Sequence, residues 1–559
     1  MSLKVFFYHA NDLLAGTNTL FLSVVVPYLK TYIDYNIPEI ADSIEWVLPS
    51  QYKKTDEELI QFCNEQNIDV LCTSHYIWNN TFLMDQITRV KPYLNPNILI
   101  VSGGPALDVN VNPNFFDQYP FIDYAIYGPG EIAFADLAKS LITDKKLIAF
   151  NTSNIAWKDK STNKINIANF KYVPELKQSP YLHCEKILEE TMKSTDGHLA
   201  LMPYELTRGC PYSCTFCDWN SGFGNKTTRR KNSFKEEIDM FQKLGITSLY
   251  LSDANVGQYD EDVELVAYLA EKNIKENANF KVNGNFSKLK LENNLKIYHL
   301  LVQGNLLNEW GMPLAVQDIH EDILKNIDRP DLGWDKHVKV ITELKNYYPD
   351  MLIKAQILIG LPGQTITTLC KTFNEISKYD IVLMPYMYEL LFASPAAYNK
   401  TYQSKFNFTY SSSLRYSSFS NTFFRGSIPE SCVSFTKRDM VEMSVLTTFY
   451  HAIISLREIT KNNRTKYFNI EYVVEEFLKS EYFKNLSENL YNNWNEDKFY
   501  FTIDFDGTEK ICSACIFEAT SAIWIKNKHF INWLQKLNPE INIINSWIKN
   551  KEAQLSSSL

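Results

Sequence analysis

The chain has 559 residues, 45% of them hydrophobic and 22% charged, with a formal net charge of −9 at pH 7. That length leaves room for about two to four domains with buried cores, and the composition excludes a disordered chain. The acidic balance excludes a dedicated nucleic-acid binder, which carries a basic excess.

The opening "MSLKVFFYHANDLL" lacks the apolar stretch and cleavage site of a secretory leader, and "LFLSVVVPYL" (20–29) is too short to span a bilayer. The protein is therefore expected in the cytoplasm, with no membrane span. In that reducing compartment, clustered cysteines read as metal ligands or redox groups rather than disulfides.

Strand and helix signals alternate over 1–145, which predicts an α/β, Rossmann-like first domain. "KVFFYH" (4–9), "IEWVLP" (44–49), "DVLCTSHY" (69–76), "NILIVSGG" (97–104) and "IDYAIYG" (122–128) read as strands, and "DEELIQFCNEQ" (56–66) as a helix. Ligands on such sheets sit beyond the carboxyl ends of the strands, where the "SGGP" and "GPGE" turns fall. Residues 146–199 break the rhythm with a polar, hairpin-like stretch and two prolines in "PELKQSPYLH", and read as a connector.

A second series occupies 200–400: "PYELT" (203–207), "SLYLSD" (248–253), "FKVNGN" (280–285), "MPLAVQ" (312–317), "IKAQILIG" (353–360) and "IVLMPYMY" (381–388). Helical segments such as 233–245, 321–327 and 368–379 separate these strands. Consecutive βα units predict a partial (β/α)6 TIM-type barrel with its chemistry in the carboxyl-end loops. Residues 401–559 read as mainly α-helical, with a strongly amphipathic helix over 437–459.

"RGCPYSCTFCDW" (208–219) places Cys210, Cys214 and Cys217 together just after the first barrel strand, with no fourth cysteine nearby. Structural zinc takes four ligands and catalytic zinc three, while cubane iron–sulfur clusters usually take four thiolates. Three thiolates on a cubane would leave one iron open. On spacing alone, iron–sulfur, zinc and unrelated buried thiols all stay open, with the first favoured by the loop's place on the barrel.

CysXXXCysXXCys, with the aromatic Phe216 before the last cysteine, resembles the radical S-adenosylmethionine (SAM) superfamily. The resemblance implies that Cys210, Cys214 and Cys217 hold a [4Fe–4S] cluster whose fourth iron binds SAM. "SDANVG" (252–257) stands where the family contacts the SAM amino group, and "AVQDIHEDILKNIDRP" (315–330) resembles its fourth-strand segment. "ILIGLPGQT" (357–365) resembles the fifth-strand GLPGET, with Gln364 in place of glutamate and hence no acid/base role. Phe216, Asp253, Gln317, Gly360 and Gly363 are thereby expected to line SAM. "ELLFASPAAY" (389–398) resembles a segment of the cobalamin-linked subgroup that would close the barrel mouth.

The first domain resembles the cobalamin-binding domain of cobalamin-dependent radical SAM enzymes. The resemblance implies cobalamin contacts at Gly103, Gly104, Gly128, Gly130 and Glu131, although no Asp-X-His-X-X-Gly motif supplies a lower cobalt ligand. His9 reads as a strand-end histidine, and His75 as near the ligand face. The basic run "NKTTRRK" (225–231) reads as a solvated face. Cys512 and Cys515 of "CSAC" read as packing groups, as do the isolated Cys63, Cys72, Cys184, Cys370 and Cys432.

The expected activity is methyl transfer to an unactivated carbon of a small-molecule or natural-product-like substrate, using the cluster, SAM and methylcobalamin. An electron donor such as flavodoxin or ferredoxin is the expected partner. Alternatives are a rearrangement or oxidative cyclisation, a methylthiotransferase, and a non-catalytic cobalamin-binding sensor. A methylthiotransferase would be expected to carry further N-terminal cysteines and a basic RNA module.

Overall fold

The structure, a computed structural model, describes residues 2–459, 470–492, 500–513 and 528–537. Within these it leaves out 12, 14–17, 110–111, 160, 172–176, 196, 220–224, 232–233, 288, 309–310, 330–332, 392–393, 418–421 and 506–507. The chain forms two compact units. The first comprises Met1–Trp310, Leu391–Asn399 and Ser417–Phe424, and the second comprises Gly311–Leu390, Lys400–Tyr416 and Arg425–Leu559.

In the first unit, β1 (Leu3–Asn11) carries the apolar run Val5–Tyr8, as suits a strand inside a sheet covered on both faces. Phe6 and Tyr8 enter the core on one side. Val5 and Phe7 enter the core on the other. β2 (Thr19–Phe21) leaves this sheet, while β3 (Ile44–Tyr52), β4 (Val70–Ser74), β5 (Leu99–Gly103) and β6 (Tyr124–Ile126) stay in it. β7 (Ile155–Asp159) and β8 (Lys164–Ile167) complete a seven-stranded sheet of order β3-β1-β4-β5-β6-β7-β8. The predicted hairpin of the connector is thus an antiparallel extension of the first sheet, because β7 pairs with β6.

The predicted helix after β3 spans Asp56–Glu65 and begins at a reciprocal cap. Thr55 Oγ1 accepts from the Glu58 N–H at 3.1 Å, and Glu58 Oε2 accepts from the Thr55 N–H at 2.8 Å. Such a box satisfies two amides that the helix itself leaves unpaired.

β9 (Leu199–Tyr204), β10 (Thr207–Arg208), β11 (Thr228–Arg229), β12 (Ser248–Val256) and β13 (Lys281–Phe286) follow in the first unit. β13-β12-β9-β2 form a four-stranded parallel sheet. β9 starts earlier than "PYELT" because Leu199–Leu201 pair with Thr19–Phe21. In the second unit β14 (Met312–Gln317), β15 (Ile353–Ile359) and β16 (Val382–Met387) form a parallel sheet of their own. Each of the six expected βα strands is present.

The helix Lys437–Ile459 forms where expected, but it is not amphipathic over its described side chains. Every residue from Met440 to Ile454 except Glu442 is buried. Two of its small hydroxyl residues are absorbed locally: Ser444 Oγ donates to the Met440 carbonyl at 2.8 Å and Thr447 Oγ1 to the Met443 carbonyl at 2.7 Å. A hydroxyl satisfied within its own helix can be buried on any face. Farther on, Tyr500–Phe505 and Thr508–Ser513 pair antiparallel, so the tail carries strands as well as helices. Cys515 lies outside the described residues.

Candidate active site

The cysteine loop leaves the carboxyl end of β9 and closes through the short pair β10–β11, in which Thr207 faces Arg229 and Arg208 faces Thr228. Gly209 turns the chain with φ +81° immediately before Cys210, a conformation a side chain would strain. Cys210 and Cys214 are buried, whereas Phe216 and Cys217 are partly exposed. The Cys217 amide donates to the Cys214 carbonyl at 3.1 Å, which tightens the last turn of the motif.

β12 supplies the floor. Asp253 and Asn255 are buried residues two apart on this strand, a spacing that gives extended residues a common face. Asp253 Oδ1 accepts the Leu206 amide at 2.8 Å, anchoring the base of the loop. Burial pushes the Asp253 carboxyl up to about 7, against the lowering effect of the Thr207 and Leu206 amides. Asn255 Nδ2 donates to Cys210 Sγ at 3.2 Å. The segment after β16 also reaches the loop, since the Ala396 amide donates to the Thr215 carbonyl at 2.9 Å between the second and third cysteines.

The start of the loop is fixed by charge. Arg208 pairs with Glu131, at the N-terminus of the helix Glu131–Thr143, and with Glu205 at 2.7 Å. Its guanidinium also lies 4.6 Å from the centre of the Tyr28 ring. Behind it, Arg230 makes two bonds to Glu237, at 2.6 and 3.2 Å. Arg229 pairs with Asp262 at 2.8 Å. The two arginines of "NKTTRRK" are therefore internal ion-pair partners and not part of a solvated face. Carboxylates on the helices after β11 and β12 draw them inward.

At the carboxyl edge of the first sheet, Gly104 has φ +117°, and a Cβ there would collide with the His75 carbonyl oxygen. Gly128 and Gly130 flank a turn held by Asn154, whose Nδ2 donates to the Pro129 carbonyl at 2.8 Å. Gly103 and Gly130 have only ordinary contacts where a Cβ would sit. Glu131 is buried and ion-paired with Arg208, a link across 77 residues that spacing cannot reveal. His75 is engaged at both nitrogens, by Thr73 Oγ1 at 2.8 Å and Asn80 Oδ1 at 2.9 Å. Burial pulls its pKa down to about 4. His9 is also buried, with its pKa pulled down to about 3, and neither ring nitrogen has a hydrogen-bond partner. Gln51 Nε2, near the end of β3, likewise lacks one.

In the second unit, Gln317 ends β14 with φ +68°, a strained conformation for a non-glycine residue. Gln364 is fully buried and staples the "GLPGQ" turn: its Oε1 accepts from the Gly360 and Leu361 amides at 2.8 and 3.0 Å. Its Nε2 donates to Asp318 Oδ2 at 2.7 Å. A glutamate there would set two carboxylates against each other, which accounts for the amide. Gly363 has φ +101° and donates its amide to Ser434 Oγ at 2.8 Å.

The donor set suits an iron–sulfur cluster: three thiols, two of them buried, with an N–H already directed at one sulfur. Among the described residues no three His, Cys, Asp or Glu side chains gather closely enough to hold a single ion. A cubane instead takes one thiolate at each separate iron. The orphaned polar atoms of His9 and Gln51 fit a polar ligand at the carboxyl edge of the first sheet. Among the described residues no helix is long and apolar enough to cross a membrane.

Residues 204–376 match the family model of the Radical SAM superfamily, so the chain carries a radical SAM domain, which implies a [4Fe–4S] cluster and SAM. The chain is 28% identical over 380 residues to the cobalamin-dependent radical SAM methyltransferase TokK of Streptomyces tokunonensis, covering 65% of this chain and 54% of that protein. It is 25% identical over 388 residues to the 2-(S-pantetheinyl)-carbapenam-3-carboxylate methyltransferase of Streptantibioticus cattleyicolor, covering 66% and 55%. The chain thus spans about half the length of these curated relatives. Its fold is shared with the cobalamin-dependent SAM radical enzyme OxsB, solved with aqua-cobalamin bound, at a TM-score of 0.58 and 14% identity over 89% of this chain and 74% of that one.

Proposed function

We propose that the protein is a cobalamin-dependent radical SAM methyltransferase that methylates an unactivated carbon of a small-molecule or natural-product-like substrate. The observation that carries this reading is the three-cysteine loop on β9, braced by Asp253 and Asn255 of β12 and tied to the first domain through Arg208 and Glu131. In the family these parts resemble, the bound cofactors together supply a substrate radical and the methyl group that meets it.

The chain's own contribution is placement. Cys210, Cys214 and Cys217 would hold the cluster and leave one corner for SAM, with Phe216 and Asp253 beside them. Gln317, Gly360 and Gly363 are proposed SAM contacts on sequence resemblance alone. Gly103, Gly104, Gly128, Gly130 and Glu131 shape the turns of the proposed cobalamin face, where His9 and Gln51 offer polar atoms. Tyr76 and Trp78, stacked with ring centres 4.7 Å apart, add a flat apolar surface just beyond β4 that would exclude water. A one-electron donor of the flavodoxin or ferredoxin type is proposed to reduce the cluster.

The test is anaerobic reconstitution with iron, sulfide, SAM and cobalamin, followed by mass analysis of candidate small molecules from the producing cells. The expected product is heavier by one methyl group, with 5′-deoxyadenosine formed alongside. SAM cleavage without a methylated product would overturn methyl transfer in favour of rearrangement or oxidative cyclisation.

A further inference from the structure

Asn255 is none of the residues that the sequence motifs single out, yet its side chain places a polar group against a thiol of the proposed cluster site. It is buried, its Nδ2 stands 3.2 Å from Cys210 Sγ, and its Oδ1 has no hydrogen-bond partner. The orientation of the amide follows from charge. Once Cys210 is a thiolate, sulfur accepts and the NH2 group must face it, because the carbonyl lone pairs would repel it. A buried carbonyl without a donor is destabilising. Packing alone would favour an apolar side chain of similar size here, so the amide is retained for what its N–H does.

An N–H donor to a cluster sulfur stabilises the more negative, reduced state more than the oxidised one, and so raises the reduction potential. We propose that Asn255 is a positioning residue that sets the reduction potential of the cluster through its bond to the Cys210 sulfur. The inference rests on the iron–sulfur reading of the loop and adds to it a control over how readily the cluster accepts its electron. The strand supports this role. The anchoring of Leu206 by Asp253, two residues earlier, fixes the loop base against the same face of β12, so the amide-to-sulfur distance is held from both ends.

The experiment is a redox titration of the reconstituted full-length protein followed by electron paramagnetic resonance of the reduced cluster. It compares wild type with Asn255→Leu, which keeps volume and excludes water, and with Asn255→Ala as a second variant should leucine prevent loading. Iron and sulfide content establish that each loads a cluster. The expected result is a variant cluster that is about tenfold harder to reduce, a fall of ~59 mV for one electron, with an altered resonance line shape. A loaded variant with the wild-type potential overturns the proposal and leaves the radical SAM reading intact. A wild-type protein that takes up no [4Fe–4S] cluster overturns both.

Discussion

The mixed first sheet and the parallel β9–β12 sheet of the first unit are built differently at their carboxyl edges. On the first sheet two of the four motif glycines are explained by protein against protein: Gly104 admits the His75 carbonyl, and Gly128 admits the Phe170 ring at 2.5 Å from where a Cβ would be. On the β9–β12 sheet the loop is braced from below by Asp253 and Asn255, yet Asn255 Oδ1 and Thr215 Oγ1 have no partner. A glycine marks a close approach without saying by what. A buried polar atom without a partner is a cost that packing does not explain, and so directs attention to what the rest of its group does.

The largest effect that would break this contrast is at the cysteines. Replacing Cys210, Cys214 and Cys217 together by alanine is expected to abolish the broad cluster absorbance and all SAM cleavage, while circular dichroism stays near wild type. Persistence of the absorbance would refute the cluster assignment. Gly104→Ala should act on folding instead. The positive φ and the clash with His75 predict a loss of about 2–3 kcal/mol in denaturant unfolding, with cluster loading retained by the folded fraction.

Glu131→Gln links the two edges. It removes one of two carboxylates from Arg208, and since Glu205 remains, the expected loss is about 2 kcal/mol, below that for stranding a fully buried charge. The matching readout is a slower methyl transfer relative to SAM cleavage, because the first domain would no longer be tied as firmly to the loop.

A finer test uses Asp253. Its folded pKa of about 7 lies above the ordinary aspartate value of 3.8, so between these values the folded apoprotein binds the extra proton. This group's contribution is therefore fully present below about pH 4 and is lost as pH rises toward 7. Asp253→Asn should flatten that part of the stability profile relative to wild type. Parallel profiles would show that the carboxyl is not perturbed. The smallest expected change is Gln364→Glu, which restores the commoner motif residue but opposes Asp318. It should cost about 1–2 kcal/mol at neutral pH and less in acid.

The alternation of apolar runs and turn residues disclosed the six βα strands and the first sheet, because both signals are local. The cysteine triad was legible for the same reason, since its three thiols fall within eight residues, 210–217. What stayed hidden depends on pairing across the chain. Arg208 and Glu131 meet over 77 positions, and Arg230 finds Glu237 only once the helix Phe234–Lys243 is folded back. Asn255 stands inside "SDANVG", but nothing in that string distinguishes a turn asparagine from a sulfur donor. The helix at 437–459 misled because serine and threonine count as polar in a sequence, whereas here they are satisfied by the preceding turn.

β2 carries a consequence for any attempt to divide the protein. Three residues near the amino terminus complete the hydrogen-bond ladder of β9: Thr19, Leu20 and Phe21 face Leu199, Ala200 and Leu201, and the Leu22 amide continues to the Leu201 carbonyl at 3.0 Å. A fragment starting at residue 199 would expose that flank of backbone and the apolar ground beneath Leu20, an invitation to self-association. Truncated forms made for crystallography or assay should therefore keep the amino-terminal arm, whatever becomes of the rest of the first domain.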